Sequence, residues 1–597
     1  MKRASTYPGI LKTILWISAS FALAYFTVIL FIYSPIPFFH RYLYFLADFG
    51  YSPILENRIG TYRFLYSVVR VLCVLTCIFA AYRSYRYYTK KNAFLLFKAE
   101  DWLIGQLSAS IAYSKAFFKN LPRPVRITMV MLLAVQFIAS VYLVFTFPVF
   151  YDEAWSYMHF SGRGLPATMA HYPAPNNHVL FNVIGSFWNI FPIDPVLVLR
   201  LPSVFWGLLS TWYFFKLGAR LFSPLTALLL AMLFACSFPS ICYNSMGRGY
   251  GMLVFFTVLS VYSLAQICTT QQRKKYLALF CVASVCGLYT IPSFLYSWLP
   301  AAFVLFLFYL VSCRKEMFSF IRSQVDVVAV TAFLYLPIMF VNGAQALVAN
   351  NGIIKRDLAY IKAHTQEHLV NTWHWLTGTD KLPLSVLVVF AATLLIRGVL
   401  SRKTGHRLVT LLCVFMIVSP LPFIYLQKTI PFDRTWAYLV IPIITGLGFF
   451  IEDISLFFSR YVKTKLSLYT IVPFAVACGL YAGYLTGVRK QMHGGDYDAE
   501  KYISLIENKL DKIKVIAFAD EGLNFYLAED IQFATIRQTG RFDAGLAFLK
   551  DGDATGQDVI VLKKNGQKRN FDLRGYTHLE LDEPVWDVYI KEEPGNR

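Results

Sequence analysis

Between residues 10 and 487 the chain returns repeatedly to stretches of about 20 residues that carry almost no charge, the length an α-helix needs to cross roughly 30 Å of hydrocarbon. In lipid every backbone N–H and C=O must be satisfied within the segment, so such stretches are helices. Thirteen spans are expected, at 10–33, 64–82, 127–149, 196–216, 224–243, 250–268, 276–292, 294–313, 325–342, 383–398, 407–425, 436–456 and 466–487. Segment 178–191, HVLFNVIGSFWNIF, is shorter and bounded by Pro175 and Pro192. It is expected to lie along the interface or to re-enter it shallowly. With 57% hydrophobic and 15% charged residues, the chain is a polytopic, all-α membrane protein.

Sidedness follows from loop charge. If 178–191 does not span, RSYRYYTKK, QQRKK, CRKEMFSFIR and SRKTGHR all fall on the N-terminal side, the arrangement the positive-inside rule favours. The N-terminus is then cytoplasmic and the C-terminus extracytoplasmic. The first apolar segment lacks a small-residue cleavage site and reads as a retained anchor. The formal net charge of +21 sits in the first 488 residues, because residues 489–597 hold 20 of the 35 acids and 16 of the 56 Lys and Arg. Loop charge and anionic lipid headgroups account for that excess, and nucleic acid is not an expected partner. None of the ten cysteines lies in the polar tail and no CxxC occurs, which argues against a disulfide framework or a cysteine-rich zinc site.

Three parts are expected. Residues 1–126 form a membrane segment with two spans and a basic cytoplasmic region, and 127–487 form the transmembrane core. Residues 488–597 form a small external α/β domain entered through HGGDY (493–497). In that domain KVIAFAD (514–520), IQFATI (531–536), DVIVLKK (558–564) and WDVYIKEE (586–593) read as strands and GLNFYLAED (522–530) as a short helix.

Chemistry concentrates on the outer face. Asp152 and Glu153 are adjacent where the chain leaves a span. Two neighbouring carboxylates repel, so one pKa should rise unless a cation or donor stands between them, and a raised pKa suits a general base; the bland alternative is a solvated or helix-capping pair. His159, His171 and His178 follow. A divalent metal held by Asp152, Glu153 and His178 is an open alternative, although the spacing matches no compact ligand motif. Arg163, in SGRGLP, suits an anion or solvent. Arg248 and Tyr250, in NSMGRGYG (244–251), stand at a helix mouth where an arginine meets either a phosphodiester or lipid headgroups. Arg200 lies within an expected span and needs a partner or a wet cavity. Lys428 and Arg434 add cations on the same face. Carboxylate and cations together suit transfer of a group from a lipid-borne phosphate. A transporter is the rival class, against which the sequence offers no internal repeat and no pair of interrupted helices.

In order along the chain, FYDEAW (150–155), YPAPNNHVLFNVI (172–184), VLRLPSVFWGLL (198–209), KLGARLFSPLTALLLAML (216–233), CYNSMGRGYGMLVFFTVLSVYSL (242–264), GLYTIPSFLY (287–296) and DRTWAYLVIPII (433–444) resemble the GT-C membrane glycosyltransferases. The nearest kin are the protein O-mannosyltransferases and the bacterial aminoarabinose transferase group, and the likeness covers roughly 127–487. It implies a GT-C-like fold in a bacterial inner membrane. It also implies a polyprenyl-phosphate sugar donor and transfer to a lipid, glycan or protein acceptor on the extracytoplasmic side. By position it makes Asp152 the base with Glu153 in support. Arg248, Arg200, Tyr243, Tyr250, Arg163, Asn177, His178, Arg434 and Lys428 become substrate-binding. Transfer of an oligosaccharide from a lipid pyrophosphate is the close alternative. Asn176-Asn177-His178 stands where relatives carry a double proline, and Ile291 where many have His, which leaves sugar and acceptor open.

Overall fold

The computed structural model describes residues 112–342 and 355–459 nearly continuously (148, 174, 190 and 192 apart), together with 345–348, three positions between 75 and 82, and short pieces after 473. The expected spans at 10–33, 64–82 and 466–487, the basic region 83–111, the hinge 493–497 and the helix at 522–530 lie wholly or almost wholly outside the described residues. Two compact units divide the chain, Met1–Leu121 and Pro122–Arg597.

The helices of the second unit, in order, are α1 (Arg123–Thr146), α2 (Tyr151–His159), α3 (Leu165–Ala170), α4 (Val179–Trp188), α5 (Pro195–Leu221), α6 (Pro224–Ala235), α7 (Phe238–Tyr243), α8 (Tyr250–Thr269), α9 (Arg273–Thr290), α10 (Leu295–Ser312), α11 (Met317–Asn342), α12 (Gln345–Val348), α13 (Leu358–Thr377), α14 (Leu384–Leu400), α15 (Thr404–Val418), α16 (Pro420–Gln427) and α17 (Val440–Ser459), the last entered through a 3-10 segment, Asp433–Leu439. Helix α8 is apolar all round and almost wholly buried, packed between α5 and α9. Helix α11 is apolar with most of its surface outward, which suits lipid contact.

Ten of the thirteen expected spans fall on described residues, and seven of these lie on helices long and apolar enough to cross a membrane: Arg123–Thr146, Pro195–Leu221, Tyr250–Thr269, Pro292–Ser312, Arg314–Met339, Thr404–Gln427 and Asp433–Ser455. The other three expected spans do not lie on such helices. Segment 224–243 breaks after Ala235, because Ser237-Phe238-Pro239 starts a new helix with proline in its first turn, leaving 12 residues, about 18 Å. Helix α9 begins in three consecutive cations, and α14 has 17 residues. Segment 407–425 is interrupted at Ser419-Pro420. Among the described residues, two of the expected spans, 224–243 and 407–425, thus contain a break where the sequence pattern predicts none. Segment 178–191 forms the ten-residue α4, too short to span.

After residue 514 a five-stranded sheet runs in the order β2 (Gly545–Phe548), β1 (Val515–Phe518), β3 (Val559–Lys563), β5 (Trp586–Lys591), β4 (Tyr576–Leu579). Strands β2, β1 and β3 are parallel, and β5 joins both β3 and β4 antiparallel. The strand expected at 531–536 is instead helical at Phe533, Ala534, Ile536 and Arg537. At helical spacing Phe533 and Ile536 share one face, and both are buried against α2 and α5.

Candidate active site

The site is built on a buried ion pair. Glu153, in the first turn of α2, is 1% exposed, as is Arg200 of α5. The pair is two-pronged: Arg200 Nε donates to Glu153 Oε1 at 2.9 Å and Nη2 to Oε2 at 2.7 Å. Backbone amides complete the carboxylate, Phe150 N donating to Oε2 at 3.1 Å and Gly247 N to Oε1. Arg200 Nη1 donates to the carbonyls of Val144 and Phe147 at 2.8 and 3.0 Å, at the carbonyl end of α1. One pair thus fastens α1, α2, α5 and the 244–249 turn.

The resemblance assigns Arg200 to substrate and Glu153 to support of the base, and the acid–histidine cluster offers Glu153 to a metal. Both are instead satisfied internally; the partner an arginine within a span requires is the neighbouring acid. Arg200 neutralises Glu153, so the repulsion expected between the adjacent carboxylates is offset by a paired cation.

Asp152 is the acid left facing the site, 18% exposed. Its Oδ2 lies 3.0 Å from Arg434 Nη1 and 3.9 Å from Arg248 Nη2. Burial pushes its pKa up, but Arg248, Arg434 and a hydrogen bond from Asn176 together hold it below the ordinary carboxylate range. The exception to the expected rise therefore applies, because the nearest charges are guanidinium groups.

Arg248 sits between two glycines that the packing demands. A Cβ on Gly247 would stand 2.5 Å from Leu199 Cβ and 3.0 Å from Glu153 Oε1, and one on Gly249 would stand 2.8 Å from His178 Cβ. Both close approaches carry hydrogen bonds: the Gly247 amide reaches Glu153, and the Gly249 amide donates to His178 Nδ1 at 2.8 Å. Ser203 Oγ donates to the Met246 carbonyl at 2.6 Å and holds the turn on α5. Arg248 Nη1 donates to the Asp152 carbonyl at 2.9 Å, Ser156 Oγ at 2.6 Å and the Asn176 carbonyl at 3.2 Å, and Nη2 meets Asn176 Oδ1.

His178 accepts at Nδ1, so in its neutral form the proton is on Nε2, which lies 3.3 Å from Arg248 Nη2. Burial, then Arg248 and Arg434, push its pKa well below the usual histidine range. Two donors therefore converge where an acceptor would fit. Arg248 Nε and Arg434 Nε are buried without a hydrogen-bond partner among the described residues. Tyr250 flanks this group, its ring 4.8 Å from His178 and 4.7 Å from Tyr243, with Trp375 of α13 a further 6.0 Å beyond Tyr243.

Asp152, Arg248, Arg434, His178, Tyr250 and Tyr243 are thus brought together, and three other expected ligands are not. Asn177 is buried and braces its loop, donating to the Thr168 and His171 carbonyls at 2.8 Å each while its Oδ1 accepts from Asn182. Its neighbour Asn176 takes the place at the site; the doubled asparagine is the only signal of it in the sequence. Arg163 is exposed and donates from Nε to the Met158 carbonyl at 3.0 Å. Lys428 is exposed and caps α16 in the left-handed region at φ 53°. No group of three or more His, Cys, Asp or Glu among the described residues could hold a metal ion. As arranged, Asp152, Glu153 and His178 do not form a ligand set: Glu153 is filled by donors, Nδ1 of His178 accepts from Gly249, and Asp152 faces two cations.

The fold is similar to that of solved GT-C membrane glycosyltransferases. It matches the crystal structures of ArnT from Cupriavidus metallidurans, bound to undecaprenyl phosphate and in the apo state, each with a TM-score of 0.51 and 11% identity over 77% of this chain and 97% of that one. The archaeal oligosaccharyltransferase AglB from Archaeoglobus fulgidus, in complex with an inhibitory peptide and a dolichol-phosphate, aligns at a TM-score of 0.41 and 12% identity over 73% of this chain and 69% of that one. No protein-family model and no curated protein matches the sequence.

Breaking a buried ion pair from one side strands the other charge, at about 3–5 kcal/mol. Glu153→Ala is expected to lower the melting temperature in detergent by several times the change caused by Asp152→Asn, and Gly247→Ala to resemble Glu153→Ala. Thermal unfolding of the three purified variants checks this; equal shifts for Glu153→Ala and Asp152→Asn would contradict the clamp.

Proposed function

We propose that this protein is a membrane glycosyltransferase that moves a sugar from a polyprenyl-phosphate donor to an acceptor outside the inner membrane, with Asp152 as general base. The observation that carries this reading is a local charge imbalance. With Glu153 and Arg200 cancelling one another, Arg248 and Arg434 supply two positive charges against the single negative charge of Asp152. The surplus of one, with two unpartnered guanidinium Nε atoms and the Nε2–H of His178, fits a phosphodiester, which carries one negative charge. A lipid pyrophosphate brings more charge than that surplus, which favours the monophosphate donor. ArnT, whose fold this chain shares, has been crystallised with undecaprenyl phosphate.

In the reaction, Asp152 takes the proton from the acceptor hydroxyl or amine as its oxygen or nitrogen attacks C1 of the sugar. The bond from C1 to the phosphate oxygen breaks, its electrons stay with the polyprenyl phosphate, and the anomeric configuration inverts. Arg248 and Arg434 stabilise the charge that builds on the departing phosphate. The guanidinium groups that depress the Asp152 pKa are the ones a phosphate recruits. Burial, the largest influence on that carboxyl, then raises its pKa when the donor binds. The base is strengthened by its own substrate. Tyr243 and Tyr250 offer ring faces beside the anion site for the sugar or the first isoprene units. In this reading Arg200 is a structural clamp.

Removing a general base costs typically about 10²–10⁴-fold in rate. Asp152→Asn is expected to stay folded in the membrane and to lose release of free polyprenyl phosphate from a polyprenyl-phosphate sugar mixed with acceptor. Wild-type release would eliminate the base, and donor translocation without release would point to a transporter.

A second expectation concerns pH. The base acts ionised, so kcat/KM, which reports the free enzyme, falls as pH drops through the Asp152 pKa. Arg434→Gln removes a cation that lowers that pKa, so its acid limb should lie at higher pH than the wild type's, together with a raised donor KM. A pH–rate profile with an unmoved limb would disconnect Arg434 from Asp152.

A further inference from the structure

Helix α2 carries Asp152 and Glu153, and the far side of this nine-residue helix rests on the polar tail of the chain. Ala154, Tyr157 and Met158 of α2, Val196, Val198 and Leu199 of α5, and Phe533 and Ile536 of the tail form one buried apolar cluster. The Tyr157 ring meets Phe533 edge to face at 5.6 Å, and its hydroxyl donates to Asn189 Oδ1 at 2.8 Å. One turn on, Arg537 Nε donates to Asp194 Oδ2 at 2.8 Å, while the other oxygen of Asp194 caps α5 by accepting from Val196 N. The tail residues thus touch the two helices that the Glu153–Arg200 pair joins, on the side away from Arg248.

We propose that the tail residues Phe533, Ile536 and Arg537 are a positioning element of the site, a wedge that sets the angle of α2 on α5 and thereby where Asp152 stands between its two arginines. The apolar contacts dominate. Phe533 and Ile536 are 2% and 3% exposed, whereas the Arg537–Asp194 pair is 46% and 34% exposed, in the range where ion pairs contribute little. A short helix cannot hold its own orientation, because isolated helices below about 12–15 residues are marginal and take their stability from packing. This inference rests on the transferase reading only in its effect on turnover; its structural part stands apart from it.

The experiment uses the full chain in detergent, as Phe533→Ala, the conservative Phe533→Leu, and Arg537→Ala. Hydrogen exchange is followed in peptides covering 150–160 and 250–269, alongside turnover of a polyprenyl-phosphate sugar. Phe533→Ala should speed exchange across 150–160 by about tenfold or more, leave 250–269 at the wild-type rate, and lower kcat at least about tenfold with donor KM little changed. Phe533→Leu should restore both, and Arg537→Ala should change both less. Wild-type exchange across 150–160 in Phe533→Ala overturns the proposal. If that variant does not fold, Tyr157→Leu probes the same contact from α2 and decides in the same way. Exchange that responds while no form, wild type included, releases polyprenyl phosphate upholds the wedge and removes the transferase.

Discussion

The Glu153–Arg200 pair is the interaction the rest of the site depends on. Four donors fill one carboxylate, and they come from α5, the start of α2 and the turn before α8. The same arginine holds the last carbonyls of α1. In a low-dielectric interior such a pair stabilises little beyond a well-packed apolar equivalent, because desolvation offsets most of the attraction. Its value here is specificity of arrangement. Four separate segments meet at one charged point in a single register, and Asp152 follows as the residue beside it.

Arg248 illustrates how such a point propagates. Its two neighbours lack side chains because Glu153 and His178 come into van der Waals range of their backbones. The amides on either side are consequently used, one by each of those groups. The arginine is held from behind through its own main chain and projects into the site with Nε unsatisfied. An anion site built this way is preorganised before any ligand arrives.

Much of the fold is legible in the sequence because hydropathy over a 20-residue window measures the quantity a bilayer selects. The failures are local. A window average cannot register that Pro239 and Pro420 start new helices, so 224–243 reads as continuous when it is not. The tail residues 531–536 alternate like a strand, yet Phe533 and Ile536 also fit a helix, and packing on α2 selects the second pattern. Asp152 and Arg248 are readable because charge beside hydrocarbon demands a reason. Arg200 is readable only as needing a partner. Nothing in one dimension shows that a glutamate 47 positions earlier fills its fork while the adjacent aspartate stays open. Asn176 and Asn177 are chemically identical, and only the turn decides which faces inward.

The excess of guanidinium over carboxylate around Asp152 has a kinetic corollary. Cleavage turns a carrier phosphate bearing one negative charge into a monoester bearing about −1.5 to −2 near neutral pH. A pocket set to welcome the former therefore grips the latter harder. Under the proposed reaction the spent lipid is a tighter occupant than the fresh one, and its departure into the bilayer is the step that this charge balance slows.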